Sequence, residues 1–379
     1  IVVDHLASPA NLAGFSVSNT RGQVPKEVKT ILLYCRGSPE RPGKSAVMHP
    51  RVIGAGGTYL AQVMHSNANI FSGVGTGMAL KYRKTPAWLV PARRWVVDMI
   101  PKRLMRKALF TTVMGARGNF TDPQTFNEKV NWRILNDRRD RIVKACDKMS
   151  MKEMAREAYP AADLRIAKTL WSGVDLRDAP DLSQLPPWVL KPNHSSGHAL
   201  FGPDTGVDLA ALLRNTDTWL HETPMELGEW GYSQARPLLL IEERIPTSDG
   251  KPPTDYKFFV FDGRIELIQV NRGRFGKNLT ATFLDAEWRQ FSVRQGERLV
   301  VDEPRPKELD KMSDIARALG AGWDFIRIDL YAVDGDVWFG EYTPYPGSGL
   351  LPYKPMSFDL EQGMLWKLPT LDEVQPGRP

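Results

Sequence analysis

Residues Ile326–Gly349 read IRIDLYAVDGDVWFGEYTPYPGSG, and this stretch decides the fold. Two runs rich in β-branched and aromatic residues flank an Asp-Gly pair, which is typical of a β-hairpin turn. Each run carries an acidic residue, Asp329 or Glu341, where a buried strand normally has an apolar one. Trp338 and Phe339 argue against a surface ribbon whose acids are merely solvated. Buried carboxylates need a partner.

The register of this hairpin decides whether its acids lie together. We predict a three-residue loop, Val333–Gly335, which places Arg327 opposite Glu341 and Asp329 on the diagonal, all on one face. A two-residue turn would instead pair Ile328 with Glu341 and separate the two carboxylates. We favour the three-residue loop because two carboxylates and a guanidinium on one face suit a divalent cation bound to nucleotide phosphates.

Length and composition limit the class of protein that this chain can be. The chain has 379 residues, 42% apolar and 25% charged, which is ordinary for a globular protein of two or three domains. It has no apolar run of the roughly 18 residues that a membrane span needs. The residues after Ile1 also lack the succession of basic, apolar and small residues that is typical of a signal peptide. We therefore expect a soluble, cytoplasmic protein. Cys35 and Cys146 have no neighbouring Cys or His ligands, so neither a disulfide framework nor a zinc site is expected.

Positive charge is concentrated at the N-terminal end. The whole chain carries +6, whereas residues 1–92 hold ten Lys or Arg against three acids, a local +7. The rest of the chain therefore lacks the basic stripe that marks nucleic-acid binding, and no nucleic-acid partner is expected.

Residues 93–110 form a basic amphipathic segment. Its cations alternate with apolar residues and are Arg93, Arg94, Lys102, Arg103, Arg106 and Lys107. Such a segment can lie on an anionic membrane surface, which would give peripheral contact with the inner membrane. The alternative, which we favour, is that the apolar residues pack under the following domain and the cations face water.

The chain beyond this segment shows a mixed α+β pattern. Thr125 with Glu128 three residues later predicts a capped helix start, and a further helix carries Asp147, Lys148, Lys152 and Arg156. Predicted strands are Trp188–Lys191, Leu238–Glu242, Tyr256–Phe261 and Ile265–Val270, and predicted helices are Leu209–His221 and Lys307–Leu319.

Two segments in this region suggest nucleotide binding. An apolar strand ends at Lys191 and a small polar loop follows, so an ammonium and backbone N–H groups could surround phosphate oxygens. This is not the Walker pattern, and a plain strand-to-loop turn is the alternative. His194 and His198 have no Cys or Glu ligand nearby, so we do not expect them to bind a metal.

The second segment is the apolar strand that runs into Glu242. Adenine is bound between apolar walls and read by hydrogen bonds from the chain that links two lobes, and a ribose needs an acidic acceptor. Glu242 could serve the adenine and Asp255 the ribose. The alternative is a strand that simply ends in exposed charge.

The order of these motifs resembles the ATP-grasp superfamily. The motifs are Lys148, Lys191 before a Ser/Gly loop, Glu242-Glu243, Arg327-x-Asp329 and Glu341-x-Thr343. More closely, five segments resemble the teichuronopeptide-biosynthesis (TupA-like) ATP-grasp proteins: Thr125–Trp132, Leu190–His194, Asp255–Phe259, Gly340–Gly349 and Leu365–Pro369. The resemblance covers about residues 93–369. It implies an α+β ATP-grasp fold, in which two α+β lobes, 161–240 and 241–369, grip ATP after a helical lead-in, 93–160. Residues 1–92 remain a basic extension of unknown fold, and residues 370–379 a tail.

The resemblance also implies roles for individual residues. The expected ATP-binding residues are Lys148, Lys191, His194, Ser195, Ser196, Gly197, Glu242, Glu243, Arg244, Asp255 and Lys257. Those expected to bind Mg²⁺ are Asp329, Glu341 and Thr343. Arg327 would stabilise a charged tetrahedral intermediate, with Lys191 as the second catalytic residue. Two positions depart from the family: Thr343 stands where Asn is usual and is a weaker ligand, and Ser195 stands where Gly is expected.

The implied chemistry is carboxylate–amine ligation through an acyl phosphate, with ATP and Mg²⁺. Arg272 and Arg274 are the candidates for holding a substrate carboxylate, since arginine binds such groups bidentately. Their alternative is a basic surface turn. We expect a role in cell-surface polysaccharide or peptide-polymer assembly. A kinase on the same fold and a nucleotide-binding module without turnover, suggested by Thr343, are the alternatives.

Overall fold

The computed structural model describes residues 100–203, 207–220, 227–248, 250, 252–273 and 279–375. Several sequence-based predictions therefore fall outside the described residues. These are the extension 1–92, the first part of the basic segment (93–99), Arg274, and residues 376–379 of the tail.

The regular elements confirm a mixed α+β chain. In chain order the helices are α1 Lys102–Met114, α2 Phe126–Asn136, α3 Asp140–Cys146, α4 Lys148–Ala158, α5 Leu209–Thr216, α6 Trp230–Gln234, α7 Leu309–Gly320, α8 Ser357–Leu365 and α9 Leu371–Val374. The strands are β1 Leu164–Ile166, β2 Thr169–Gly173, β3 Trp188–Pro192, β4 Leu200–Gly202, β5 Leu239–Glu243, β6 Asp255–Phe261, β7 Arg264–Arg272, β8 Thr280–Leu284, β9 Arg294–Gln295, β10 Phe325–Val333, β11 Asp336–Thr343 and β12 Tyr353–Lys354.

Two sheets carry the predicted site residues. The larger has the order β1-β11-β10-β6-β7-β8, and within it only the β1–β11 pair is parallel. The smaller has the order β2-β5-β3-β4. A two-stranded sheet, β9 with β12, completes the strands. The predicted lobe boundary at 240/241 falls inside β5, and β1 pairs in the larger sheet although it lies within the predicted first lobe.

The larger sheet has one apolar face and one partly polar face. Ile326, Ile328 and Leu330 alternate along β10 and are fully buried in the main core, which also contains the inner face of α7. Arg327 and Asp329 lie between them on the opposite face, as strand alternation requires. The α7 helix is amphipathic, and it covers the apolar side of the sheet.

Most predicted elements are confirmed. The four predicted strands correspond to β3, β5, β6 and β7, and the predicted helix 307–319 corresponds to α7. Thr125 begins α2 with the predicted capping box: its hydroxyl accepts from Glu128 N at 3.2 Å and its N–H donates to the Glu128 carboxylate at 3.1 Å. The α5 helix, however, ends at Thr216 and does not reach 221, because the chain turns after it.

The described part of the basic segment packs into the protein. Met105, Leu109 and Phe110 of α1 are buried, and the Phe110 ring meets the Phe120 ring edge-on at 5.4 Å. This agrees with the packing alternative, with one exception, since Arg106 is also fully buried. Among the described residues, no helix has the combined length and apolarity required to cross a bilayer.

Candidate active site

The β10–β11 hairpin has a different register from the predicted one. Val333 pairs with Asp336, so the turn contains two residues, Asp334 and Gly335, and both have positive φ as a tight hairpin turn requires. Arg327 lies opposite Thr343 and not opposite Glu341. The three-residue loop is therefore wrong.

A bulge nevertheless brings the acids together. Leu330 pairs with Phe339 but Asp329 pairs with Glu341, which leaves Gly340 as an extra residue in β11. A Cβ at Gly340 would lie 2.8 Å from the Asp329 carbonyl oxygen, too close for any side chain. The predicted shared face is confirmed, although the bulge and not the turn produces it.

Arg327 ties this face together. Its Nε donates to Asp329 Oδ1 at 2.6 Å and its Nη2 to Asp329 Oδ2 at 2.7 Å. The same Nη2 donates to Glu341 Oε1 at 3.2 Å and to the Thr343 hydroxyl at 3.0 Å, and that hydroxyl donates to Glu341 at 3.1 Å. Two carboxylates and one hydroxyl therefore surround a single guanidinium.

Lys257 extends the polar face onto β6. Its Nζ lies 2.5 Å from Asp329 Oδ2 and 2.6 Å from Asp255 Oδ2. Burial would raise the pKa of Asp329, but Arg327 and Lys257 together lower it to about 2. Asp255 thus lies in the same charged row as the expected Mg²⁺ residues.

Two lysines, Lys191 of the smaller sheet and Lys152 of α4, share the carboxylate of Glu242. Lys191 contacts one oxygen of this carboxylate, and Lys152 Nζ lies 2.5 Å from Oε1. Burial opposes ionisation of Glu242, but both ammonium groups favour it, and the pKa is lowered. Lys152 was not among the predicted site residues, although its position four residues after Lys148 on the same helix was the available signal.

Lys148 joins the two groups of residues. It is the first residue of α4, and its Nζ donates to the Ser195 carbonyl and, at 3.4 Å, to that of Asn193. Burial and the nearby charge of Lys191 lower the pKa of Lys148 to about 8, against the opposing effects of Glu341 and Glu242. Carbonyl groups of the phosphate loop therefore contact this ammonium, and Glu341 of the hairpin acts on it electrostatically.

The predicted phosphate loop has a buried base and an exposed tip. His194 and Ser195 are buried, whereas Ser196 and Gly197 are exposed, and Gly197 has φ +89°. The Ser195 hydroxyl has no hydrogen-bond partner among the described residues. His198 stacks on Trp219 with ring centroids 5.0 Å apart.

Asp147 fixes this loop to α4 and was missed as a site residue. Its side chain caps α4 at Ser150 N, 2.9 Å, and accepts from Asn193 Nδ2 at 2.8 Å. Arg236 donates to both of its oxygens, at 2.9 and 2.8 Å. Burial would raise the pKa of Asp147, but Arg236 and these hydrogen bonds lower it well below its usual range. The Asp-Lys pair that begins α4 was the signal in the sequence.

The remaining predicted residues lie at the edges of this cluster. Glu243 accepts from Lys168 N at 2.9 Å, and Arg244 N donates to the Pro187 carbonyl at 2.7 Å. Arg272 donates from Nε to Glu303 at 2.9 Å and from Nη1 to the Thr254 hydroxyl at 2.8 Å. Substrate binding by Arg272 stays a prediction, since the structure gives this guanidinium a carboxylate of its own.

A cavity of about 720 Å³ adjoins the end of β5. Glu243, Lys168, Trp338 and Arg156 are among its lining residues. Its size falls in the range of small-molecule sites. The cavity borders the predicted adenine-binding segment.

Within the described residues, no group of three His, Cys, Asp or Glu side chains is placed to hold a metal ion alone. Mg²⁺ commonly takes one or two carboxylates and completes its coordination with phosphate oxygens and water. Asp329, Glu341 and the Thr343 hydroxyl fit that pattern. The unpartnered Ser195 hydroxyl and the neighbouring lysines fit a phosphate group.

One family of known proteins matches most of the chain. The sequence model described as TupA-like ATPgrasp matches residues 128–367. No curated protein sequence matches this chain.

Solved structures give partial matches. D-alanine–D-alanine ligase from Bacillus anthracis, complexed with ATP, is 17% identical, with 54% of this chain and 56% of that chain covered and a TM-score of 0.33. The same enzyme from Helicobacter pylori is 14% identical, with 64% and 69% covered and a TM-score of 0.36. The ATP-grasp ligase PsnB, complexed with a precursor variant, Mg and ADP, is 12% identical, with 69% and 66% covered and a TM-score of 0.31. The chain thus spans little more than half of the first of these enzymes.

Proposed function

Because the chain belongs to the TupA-like ATP-grasp family, we propose that it is an ATP-dependent carboxylate–amine ligase. The observation that carries the proposal is the convergence on Lys148. Its ammonium donates to carbonyls of the predicted phosphate loop and interacts electrostatically with Lys191 and Glu242 of one sheet and with Glu341 of the other. Cations for phosphates and carboxylates for Mg²⁺ are the two groups that phosphoryl transfer from ATP requires.

In this proposal each group of polar residues binds a different part of the Mg²⁺–ATP complex. Lys148 and Lys191 bind the phosphates of ATP, and the side chain of Lys191 is 25% exposed and therefore within reach of a ligand. Glu242 and Glu243 are assigned to the adenine end of ATP. Asp329, Glu341 and Thr343 would hold Mg²⁺, which when bound offsets negative charge on phosphate oxygens.

The proposed reaction has two steps. The substrate carboxylate attacks the γ-phosphorus of ATP, and the bond from that phosphorus to the bridging oxygen breaks to release ADP. The amine then attacks the acyl carbon, loses a proton, and phosphate leaves. Arg327 stabilises the negative charge that develops on the acyl oxygen. Its guanidinium is held in place by Asp329, so it does not have to reorganise during the reaction.

We further propose that the substrates belong to cell-surface polymer assembly, with a uronic acid or similar acid as the carboxylate and an amino acid as the amine. Support comes from the resemblance to teichuronopeptide-biosynthesis proteins. Arg272 remains the candidate for holding a second substrate carboxylate, provided that it exchanges Glu303 for the ligand.

Hydroxylamine trapping tests the reaction type. The full chain is incubated with ATP, Mg²⁺, a panel of uronic acids and amino acids, and hydroxylamine as the amine. A ligase that makes an acyl phosphate yields a hydroxamate together with ADP. ADP without hydroxamate would instead indicate a kinase, and ATP binding without ADP across the whole panel would indicate a module without turnover.

A further inference from the structure

Arg106 is an internal cation that links α1 to the turn after the hairpin. Its side chain is fully buried, although it stands in a helix whose neighbouring cations, Arg103 and Lys107, are exposed. Nε donates to Asn131 Oδ1 at 2.7 Å. Nη1 donates to the Ser348 hydroxyl at 2.9 Å and to the Leu227 carbonyl at 3.0 Å, and Nη2 donates to the Ser348 carbonyl.

The turn that Arg106 holds has a strained backbone. Gly347, Ser348 and Gly349 have φ of 50°, 57° and 61°, so three successive residues are left-handed and one of them is not glycine. Such a conformation persists only where the surroundings over-determine it. Asn131 contributes from the other side, since its Nδ2 donates to the Gly349 carbonyl at 2.8 Å.

Glu229 is the counter-charge of Arg106. It is buried and acts electrostatically on the guanidinium, which also donates to the Leu227 carbonyl two residues earlier. Burial raises the pKa of Glu229 to about 7, against the lowering effects of Arg106 and Ser348. Arg106 therefore binds the turn directly, and Glu229 supplies the buried counter-charge to this cation.

This turn borders the metal end of the site. It begins three residues after Thr343, whereas the adenine-binding residues lie in the other sheet. The α6 helix, which begins directly after Glu229, contacts the residue that precedes the turn: Gly231 N donates to the Tyr345 hydroxyl at 3.3 Å, and the centroids of the Tyr232 and Tyr345 rings lie 6.2 Å apart. The segment that carries Glu229 is therefore packed against the start of the turn.

We propose that Arg106 and Glu229 are positioning residues that fix the turn Pro346–Gly349 and thereby set the metal and acceptor end of the active site. The inference rests on the proposed function for its kinetic consequences only. It makes α1 part of the catalytic unit, although α1 precedes the family-matched residues 128–367. A change at either residue should disturb the phosphoryl-acceptor end and spare nucleotide binding.

Matched variants of the full chain test this. Arg106→Lys keeps the charge but cannot reach four separate acceptor atoms, and Glu229→Gln keeps the shape. Arg103→Lys is the control, because Arg103 is an exposed residue of the same helix that donates to Thr121. Three quantities are measured: hydrogen exchange of residues 345–351, affinity for the non-hydrolysable analogue AMP-PNP with Mg²⁺, and kcat and KM for ATP in hydroxamate formation.

The expected result is selective. Exchange in 345–351 should rise by roughly tenfold or more in Arg106→Lys and Glu229→Gln, as when a buried charge-assisted hydrogen bond is lost. Their kcat should fall by about tenfold to a hundredfold while KM for ATP and AMP-PNP affinity change little, since a displaced reacting group affects the chemical step. Arg103→Lys should match the wild type.

Two results would overturn the inference. One is unchanged exchange in 345–351, and the other is a rise in exchange throughout the protein with kcat and AMP-PNP affinity falling together, which is general destabilisation. Failure of the proposed function can be told apart from failure of this inference, because in the former case the wild-type protein makes neither hydroxamate nor ADP. The exchange measurement needs no substrate and decides the positioning role even then.

Discussion

Asp329 lies directly opposite Glu341 in the hairpin, although its two-residue turn alone would pair Glu341 with Ile328. The single extra residue Gly340 shifts the register by one and moves Glu341 to the face of Arg327. The site face of the hairpin therefore depends on a residue that has no side chain. A side chain at Gly340 would meet the Asp329 backbone and the Tyr331 ring, at 2.8 and 3.0 Å.

Gly340→Ala should reduce turnover. The added methyl group must displace the backbone of Asp329, and a shift of this size at a reacting centre can lower kcat by about a hundredfold. Gly335→Ala is the control: Gly335 has φ +88° with no atom near an added Cβ, so the substitution should cost about 1–2 kcal/mol of stability. Hydroxamate formation and thermal unfolding of both variants are measured. Equal activity loss in the two variants would contradict a specific role for the bulge.

Glu341→Gln should lower turnover by roughly two orders of magnitude or more with little effect on folding, because the change is nearly isosteric and removes a metal-binding charge. Thr343 and Arg327 can still hydrogen-bond to the amide oxygen. Glu287→Gln, at an exposed surface ion pair, is the matched control. Near-wild-type turnover in Glu341→Gln, measured as ADP release over a range of Mg²⁺ concentrations, would remove Glu341 from the metal site.

The hairpin also illustrates what the sequence could and could not predict. Its strands were predictable because β-branched and aromatic residues flank an Asp-Gly turn. The bulge was not, since it depends on the close approach of Gly340 to a neighbouring strand, which no local pattern encodes. Strands β3, β5, β6 and β7 were predictable because each is a run of mainly apolar residues several positions long. The shorter β1, β4 and β9 have too few residues for a periodic signal.

Motifs that resemble a family need not be catalytic. Lys129, in the segment Thr125–Trp132, donates to the Gly363 and Trp366 carbonyls at 2.8 and 2.6 Å. Asn127 of the same segment donates to Asp359 at 2.8 Å. These residues anchor α2 to the chain around α8. Contacts between residues this far apart in the sequence are invisible to arguments from local spacing.

Lys191→Met should weaken binding of ATP much more than that of adenosine. The phosphate charge loses a nearby cation in a partly dry site, where such pairs are strong, while a neutral nucleoside has no such charge. Glu242 keeps Lys152 as a partner at 2.5 Å, so the carboxylate is not left unpaired. Calorimetric titration with both ligands measures the difference. Equal losses for ATP and adenosine would indicate damage to the fold instead of a phosphate contact.

ATP affinity should fall as the pH rises through about 8. Burial and Lys191 lower the pKa of Lys148 to about 8, so its ammonium loses its proton well below the usual lysine value. Stability without nucleotide should move the opposite way: the folded state releases this proton before the unfolded state does, so Lys148 adds to the free energy of unfolding as pH rises from 8 towards the unfolded pKa of 10.5. Lys148→Arg retains its charge and should lose the alkaline fall in affinity. An affinity that stays flat up to about pH 9.5 in the wild type would contradict this assignment.

Removal of residues 1–92 should leave ATP turnover largely intact, because every assigned site residue lies beyond Arg93. Removal of residues 1–114 should abolish it, since α1 contributes Met105, Leu109 and Phe110 to a buried cluster and Arg106 to the turn after the hairpin. Both truncated chains are compared with the full chain for solubility, AMP-PNP binding and hydroxamate formation. A soluble but inactive chain after the shorter truncation would mean that the basic extension belongs to the catalytic unit. Full activity after the longer truncation would mean that α1 does not.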